Sequence, residues 1–126
     1  MEKVQRDQLT EKVIGAAIEV HKHLGPGLLE AAYEECLCYE LSIREMSFKR
    51  QLVLPIKYKE VNLECGFRID LVVENRLVIE LKAISKLLPV HEAQLLTYLR
   101  LTGIKTGLLL NFNVPILIDG IKRMVL

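Results

Sequence analysis

Apolar positions along this chain follow more than one rhythm, and each rhythm predicts a different element. Over residues 10–24, Val13, Ala16, Ala17, Val20 and Leu24 recur at intervals of three and four, with Leu9 just ahead of them. That spacing predicts an amphipathic helix. Thr10 is its expected N-cap, Leu9 and Ile14 form a hydrophobic staple across it, and Gly25-Pro26 is the stop. A second helix is expected from Gly27 or Leu28 to about Met46. The rhythm then shortens. Segments 48–54, 56–63, 66–73 and 77–83 read as strands, with Pro55 and Lys59-Glu60 marking turns between the early ones. Pro89 opens a third helix and Gly103 closes it. Residues 106–112, TGLLLNF, form an apolar run suited to a strand buried on both faces. The tail predicts a last hairpin of 116–118, a turn at Asp119-Gly120, and 121–126.

This order, α-α-β-β-β-β-α-β-β, predicts an α/β (α+β) fold with a mixed sheet flanked by helices. A crossover helix between 77–83 and 106–112 would make those two strands parallel neighbours. With 126 residues and no linker, one domain spanning 1–126 is expected. No apolar run approaches the roughly 18–20 residues that cross a bilayer. The opening MEKVQRDQLTEK lacks the apolar core of a secretory signal. A cytoplasmic protein is expected. Cys36, Cys38 and Cys65 form no CxxC, so reduced thiols are expected rather than a disulfide framework or zinc site. Net charge is only +1, which lends no support to a nucleic-acid partner but leaves room for a local basic groove.

The segment RIDLVVENRLVIELKA (68–83) concentrates the chemistry. If Glu74, Asn75 and Arg76 form a three-residue loop, Val73 lies opposite Leu77 and Asp70 opposite Glu80. Lys82, two residues beyond Glu80, projects from the same face. Two carboxylates and an ammonium then share a patch of an otherwise apolar sheet, which a divalent metal would rationalise. A plain charged sheet face, with Lys82 paired to either acid, is the competing account. Glu30 falls in a stripe with Gly27, Tyr33, Leu37 and Leu41, which suggests an inward-facing carboxylate; an exposed Glu, favoured in a first helical turn by the helix dipole, is the competing account. Gln94 and Tyr98 share one face of the third helix, with His91 a turn earlier on the same side. His21 and His23 diverge on the first helix and read as surface residues. Lys122 and Arg123 sit on the last strand and face oppositely. There is no GxGxxG, GxxxxGK[ST] or GxSxG, so nucleotide-loop and serine-hydrolase chemistry find no support.

GLLEAAY (27–33) resembles the signature of the GxxExxY proteins, a family similar to the PD-(D/E)xK nuclease superfamily. The resemblance extends through Ala17-Ile18-Glu19-Val20-His21, Leu24-Gly25-Pro26-Gly27, Tyr58-Lys59, Asp70-Leu71 and Glu80-Leu81-Lys82-Ala83. It continues through HEAQLLTYL (91–99), Asn111-Phe112 and DGIKR (119–123). It implies a restriction-endonuclease-like αβββαβ core with an extra N-terminal helix and a C-terminal hairpin. It also implies that Asp70 and Glu80 are metal-binding acids, that Lys82 is the catalytic lysine and that Glu30 completes the metal site. Gln94 with Tyr98 resembles the QxxxY element of RecB-type nucleases, with Gln94 assisting catalysis. Tyr98, Tyr33 and His91 are the expected substrate-contacting set. Ile69 stands where a proline often precedes the first acid. The implied cofactor is Mg²⁺, with Mn²⁺ as a substitute, and the implied substrate is DNA before RNA. The alternative is a non-catalytic module that binds nucleic acid or protein through the same groove, completed by a homodimer or partner protein.

Overall fold

The computed structural model describes residues 7–126. In chain order they form α1 (Gln8–Leu24), α2 (Glu30–Ile43), β1 (Phe48–Val53), β2 (Ile56–Tyr58), β3 (Val61–Leu63), β4 (Arg68–Val73) and β5 (Leu77–Lys82). Then come α3 (Pro89–Thr102), β6 (Thr106–Asn111), a 3-10 turn (Leu117–Gly120) and β7 (Ile121–Val125). Residues 1–6 of the charged opening, and that part of the expected 1–126 domain, lie outside the described residues.

Five strands make one mixed sheet in the order β1-β4-β5-β6-β7. The crossover through α3 makes β5 and β6 parallel, as expected, and the other pairs are antiparallel. Every residue of β6 is buried, which its apolar run requires. Leu71, Val73, Leu77, Ile79, Leu81, Leu108 and Leu110 join the core formed with α1 and α2. Ile69, Val72, Val78 and Leu109 join a second core with Leu95, Tyr98 and Leu99 of α3. The sheet is therefore covered by helices on both faces, and its central strands can be apolar throughout. The architecture is the mixed, helix-flanked sheet of a restriction-endonuclease-like fold.

Five local expectations change. Asp7, not Thr10, caps α1: its carboxylate accepts the Thr10 backbone N–H at 2.7 Å, and Thr10 is buried in the first turn. Leu9 therefore lies inside the helix, so it cannot staple from outside, although it and Ile14 are both buried. The second helix starts only at Glu30 and ends at Ile43, because Gly25 (φ 68°) and Gly27 (φ 100°) hold a left-handed approach that a helix cannot begin from. Segment 56–63 is not one strand. It folds on itself as β2 and β3, turning at Lys59 (φ 58°), because Val53 pairs onward with Arg68 and leaves 54–67 as an excursion from the sheet.

The fourth change is in the tail. Residues 116–118 form no strand. Leu117 enters the core and the chain turns as a 3-10 helix, since Gly120 lies so close to the Asn111 carbonyl that a Cβ would clash with it. The C-terminal hairpin is built instead by β7 returning along β6. Nor is His21 a surface residue: it is buried, with Nε2 2.8 Å from the Val114 carbonyl oxygen. Among the described residues no helix is long and apolar enough to cross a membrane.

Candidate active site

The β4–β5 hairpin has the expected register, with Val73 opposite Leu77 across Glu74-Asn75-Arg76. Glu74 and Asn75 both adopt left-handed φ (54° and 56°), which closes the loop. The ladder ends at Leu71 and Ile79. Beyond that point side chains replace backbone partners. The Asp70 N–H donates to Glu80 Oε2 at 3.0 Å, and the Leu81 N–H donates to Asp70 Oδ2 at 2.8 Å. Meanwhile β4 continues along β1 to Val53 and β5 along β6 to Asn111. The two strands are therefore held by different neighbours at this end, and the two carboxylates bridge the gap between them.

This placement is electrostatically costly. Burial pushes the Glu80 carboxyl up to about 8, and the neighbouring Asp70 charge adds to the shift. Burial also raises Asp70, with Glu34 and Glu30 contributing in the same direction and the Leu81 N–H opposing. Lys82 is half-buried and draws Glu80 back toward ionisation. Among the described residues it makes no ion pair within 4.0 Å. Its backbone is fixed: the Lys82 carbonyl accepts the Phe112 N–H at 2.9 Å, and the Asn111 amide bonds both backbone groups of Ile84.

The stripe on α2 divides in two. Tyr33, Leu37 and Leu41 are fully buried, but Glu30 and Gly27 are exposed. Glu30 is the first residue of α2, and its charge reaches both Asp70 and Glu80. Tyr33 does not face a groove. Its hydroxyl donates to the Gly25 carbonyl at 2.6 Å and accepts the Leu28 N–H at 3.1 Å, while its ring stacks on Phe112 at 4.5 Å. Buried and doubly bonded, it pins the turn that delivers Glu30, so a substrate contact is ruled out by packing. His91 also has a local task, since its Nδ1 accepts the Leu88 N–H at 2.9 Å at the start of α3. Gln94 is half-buried. Tyr98 is buried edge-on to Phe67, and burial followed by the Glu80 and Asp70 charges pushes its hydroxyl up to about 12. Its ring thus belongs to the second core while its hydroxyl senses both acids.

Glu34, Arg50 and Gln51 join this cluster without having been anticipated. Glu34 is buried, and its carboxylate accepts the Gln51 amide at 3.0 and 3.2 Å. Arg50 donates to it from Nε at 3.2 Å and Nη2 at 3.1 Å, and also reaches Glu35 at 3.0 Å. The same Gln51 amide nitrogen lies 3.4 Å from Asp70 Oδ1. A signal for Glu34 existed, because Glu34, Cys38 and Leu41 form a helical stripe of their own. None existed for Gln51.

The donor set suits a hard divalent cation. Among the described residues, Asp70 Oδ1 has only the long Gln51 contact and Glu80 Oε1 has no hydrogen bond. Two desolvated carboxylates with free oxygens match how Mg²⁺ is usually held, by one or two carboxylates plus water and phosphate oxygens. Among the described residues no three Asp, Glu, His or Cys side chains converge on a single point, so a fully protein-built cage is not formed. Compared with known families, residues 7–124 match the model described as the PD-(D/E)XK nuclease superfamily. Neither the curated proteins nor the solved structures contain a match.

Proposed function

Because the chain belongs to the PD-(D/E)XK nuclease superfamily, we propose that it is a divalent-metal-dependent nuclease. Its substrate would be DNA, its cofactor Mg²⁺ or Mn²⁺, and its place the cytoplasm. The observation that carries this reading is the carboxylate bridge at the end of the β4–β5 ladder, with Lys82 on the same strand as Glu80. Two acids that repel each other, Glu80 buried and Asp70 half-buried, would be stabilised by a cation between them. A bound cation would polarise the phosphodiester and lower the pKa of the attacking water.

The chain's own groups have separable tasks in this reading. Asp70 and Glu80 hold the cation, each oriented by a backbone N–H of the facing strand. Glu30, exposed at the start of α2, adds its negative charge near the two acids without joining them at a common point. Lys82 orients the attacking water and offsets charge developing on the phosphate. Gln94 and Tyr98 support the site from α3, where the hydroxyl of Tyr98 stays protonated and able to donate. The GLLEAAY segment fits the GxxExxY family in physical terms. Its glycine adopts φ 100°, its glutamate begins the helix beside the acids, and its tyrosine locks the turn.

Purified protein with Mg²⁺ or Mn²⁺ should cleave DNA, tested against RNA in parallel. Asp70→Ala and Lys82→Ala should each reduce the rate at least about 100-fold, the scale of lost electrostatic stabilisation. Cleavage that persists in both variants removes the proposal. The near-neutral chain favours a second surface for substrate, from another copy or a partner protein. Without one, a binding module on the same groove is the reading that remains if no cleavage occurs.

A further inference from the structure

Side chains on a regular strand alternate between faces, and β1 and β4 break this rule at the same level. On β4, Leu71 and Val73 lie in the α1/α2 core, yet Ile69, two residues earlier, lies in the α3 core. On β1, Phe48 packs toward the first core while Leu52 packs toward the second. The register is the same on either side, Arg50 opposite Leu71 and Leu52 opposite Ile69, so no residue is inserted, but the ladder skips the Gln51–Asp70 level between them. The faces exchange at Gln51 and Asp70, which stand across from each other. Gln51 has φ 50°, a left-handed conformation in the middle of a strand and in a residue other than glycine. Such strain persists only where something else holds it.

We infer that Gln51 is a positioning residue for Asp70. Its left-handed backbone turns the amide between two acids, so that one nitrogen faces both oxygens of Glu34 and Oδ1 of Asp70. The Leu81 N–H holds Asp70 Oδ2 and Gln51 holds Oδ1, which fixes the plane of the carboxylate. Gln51 also lies between the Asp70 and Glu34 carboxylates and donates to both. Glu34 is in turn anchored by Arg50, so the hold on Asp70 reaches back to α2. The inference rests on the proposed function only in taking Asp70 as a metal ligand. Its geometric core stands apart from that.

The Leu81 amide gives a readout that needs neither metal nor substrate, because its N–H donates to the Asp70 side chain. Gln51→Ala removes the amide and keeps the backbone strain, while Gln51→Gly removes both. In each variant amide hydrogen exchange at Leu81 should quicken about 10-fold while the other β5 amides keep their protection. The Gly variant should melt above the Ala variant. Mn²⁺ affinity by calorimetry should fall roughly 10-fold in both, the scale of losing a group that orients a ligand. Unchanged Leu81 exchange in both variants overturns the inference, even if melting temperatures shift. Loss of cleavage in Asp70→Ala with Leu81 unmoved in the Gln51 variants would keep the nuclease and remove this role. An inactive protein whose Leu81 amide responds would do the reverse.

Discussion

Glu80 is an acid that the fold makes reluctant to ionise. Its carboxyl titrates at about 8 rather than the ordinary 4.5, because it is buried beside Asp70. The folded chain therefore binds this proton more tightly than the unfolded chain. The stability that follows is complete below about pH 4.5 and is lost as pH rises through about 8. Asp70, shifted the same way, adds to the slope. Metal-free protein should melt at falling temperatures across that interval, and Glu80→Gln should flatten the curve, since the amide oxygen still accepts the Asp70 N–H. Calorimetric scans at a series of pH values measure both. Tyr33 makes the opposite kind of contribution. Tyr33→Phe leaves the Gly25 carbonyl and Leu28 N–H without their partner. A loss of about 1–3 kcal/mol is expected in urea unfolding, the net worth of two part-buried hydrogen bonds.

At the level of elements, α3 holds its place against the sheet through Gly107. A Cβ there would lie 2.8 Å from Cδ1 and 3.1 Å from Cγ of Leu95, a fully buried side chain that would have to shift. Gly107→Ala should destabilise by about 1–3 kcal/mol and push α3 outward. Because α3 carries Gln94 and Tyr98, cleavage should fall together with stability in that variant, read from paired unfolding and rate measurements. Elements of this kind were readable from the chain. Pro89 and Gly103 bracket α3, and the apolar run of β6 announces a strand covered on both sides. The loop length after Val73 set Asp70 opposite Glu80. Other features depended on partners that local pattern does not specify. Segment 56–63 has strand-like residues throughout, but its pairing was decided by Val53 continuing to Arg68. The 116–118 stretch is apolar because Leu117 enters the core, not because it joins a sheet. Gln51 escaped because the alternation that located Glu80 and Lys82 fails where β1 and β4 exchange faces, whereas the stripe of Glu34, Cys38 and Leu41 on α2 was a legible sign of Glu34. Tyr33 looked like a site residue because it shares a stripe with Glu30, when its role is to set the turn before it.

Over the whole molecule, 17 basic and 16 acidic side chains leave little general attraction for phosphate. Glu30, Glu34, Asp70 and Glu80 gather around one end of the β4–β5 hairpin, where their field opposes an incoming backbone. Substrate binding and metal binding should therefore be coupled. Ca²⁺, added in place of Mg²⁺, should raise affinity for a labelled DNA oligonucleotide about 10-fold, a coupling of the usual size. Fluorescence anisotropy checks this, and Asp70→Ala should abolish the gain. The fold then acts as a scaffold that brings α2, the β4–β5 hairpin and α3 to one place, and on the proposed reading a bound cation would turn a repulsive site into a receptive one. Titration of the wild-type chain and its Asp70→Ala variant with Mn²⁺ by calorimetry tests this centre most directly. A carboxylate-dependent site in the wild type that weakens at least about 10-fold in the variant is the expected result. Equal Mn²⁺ affinity in the two proteins would contradict it.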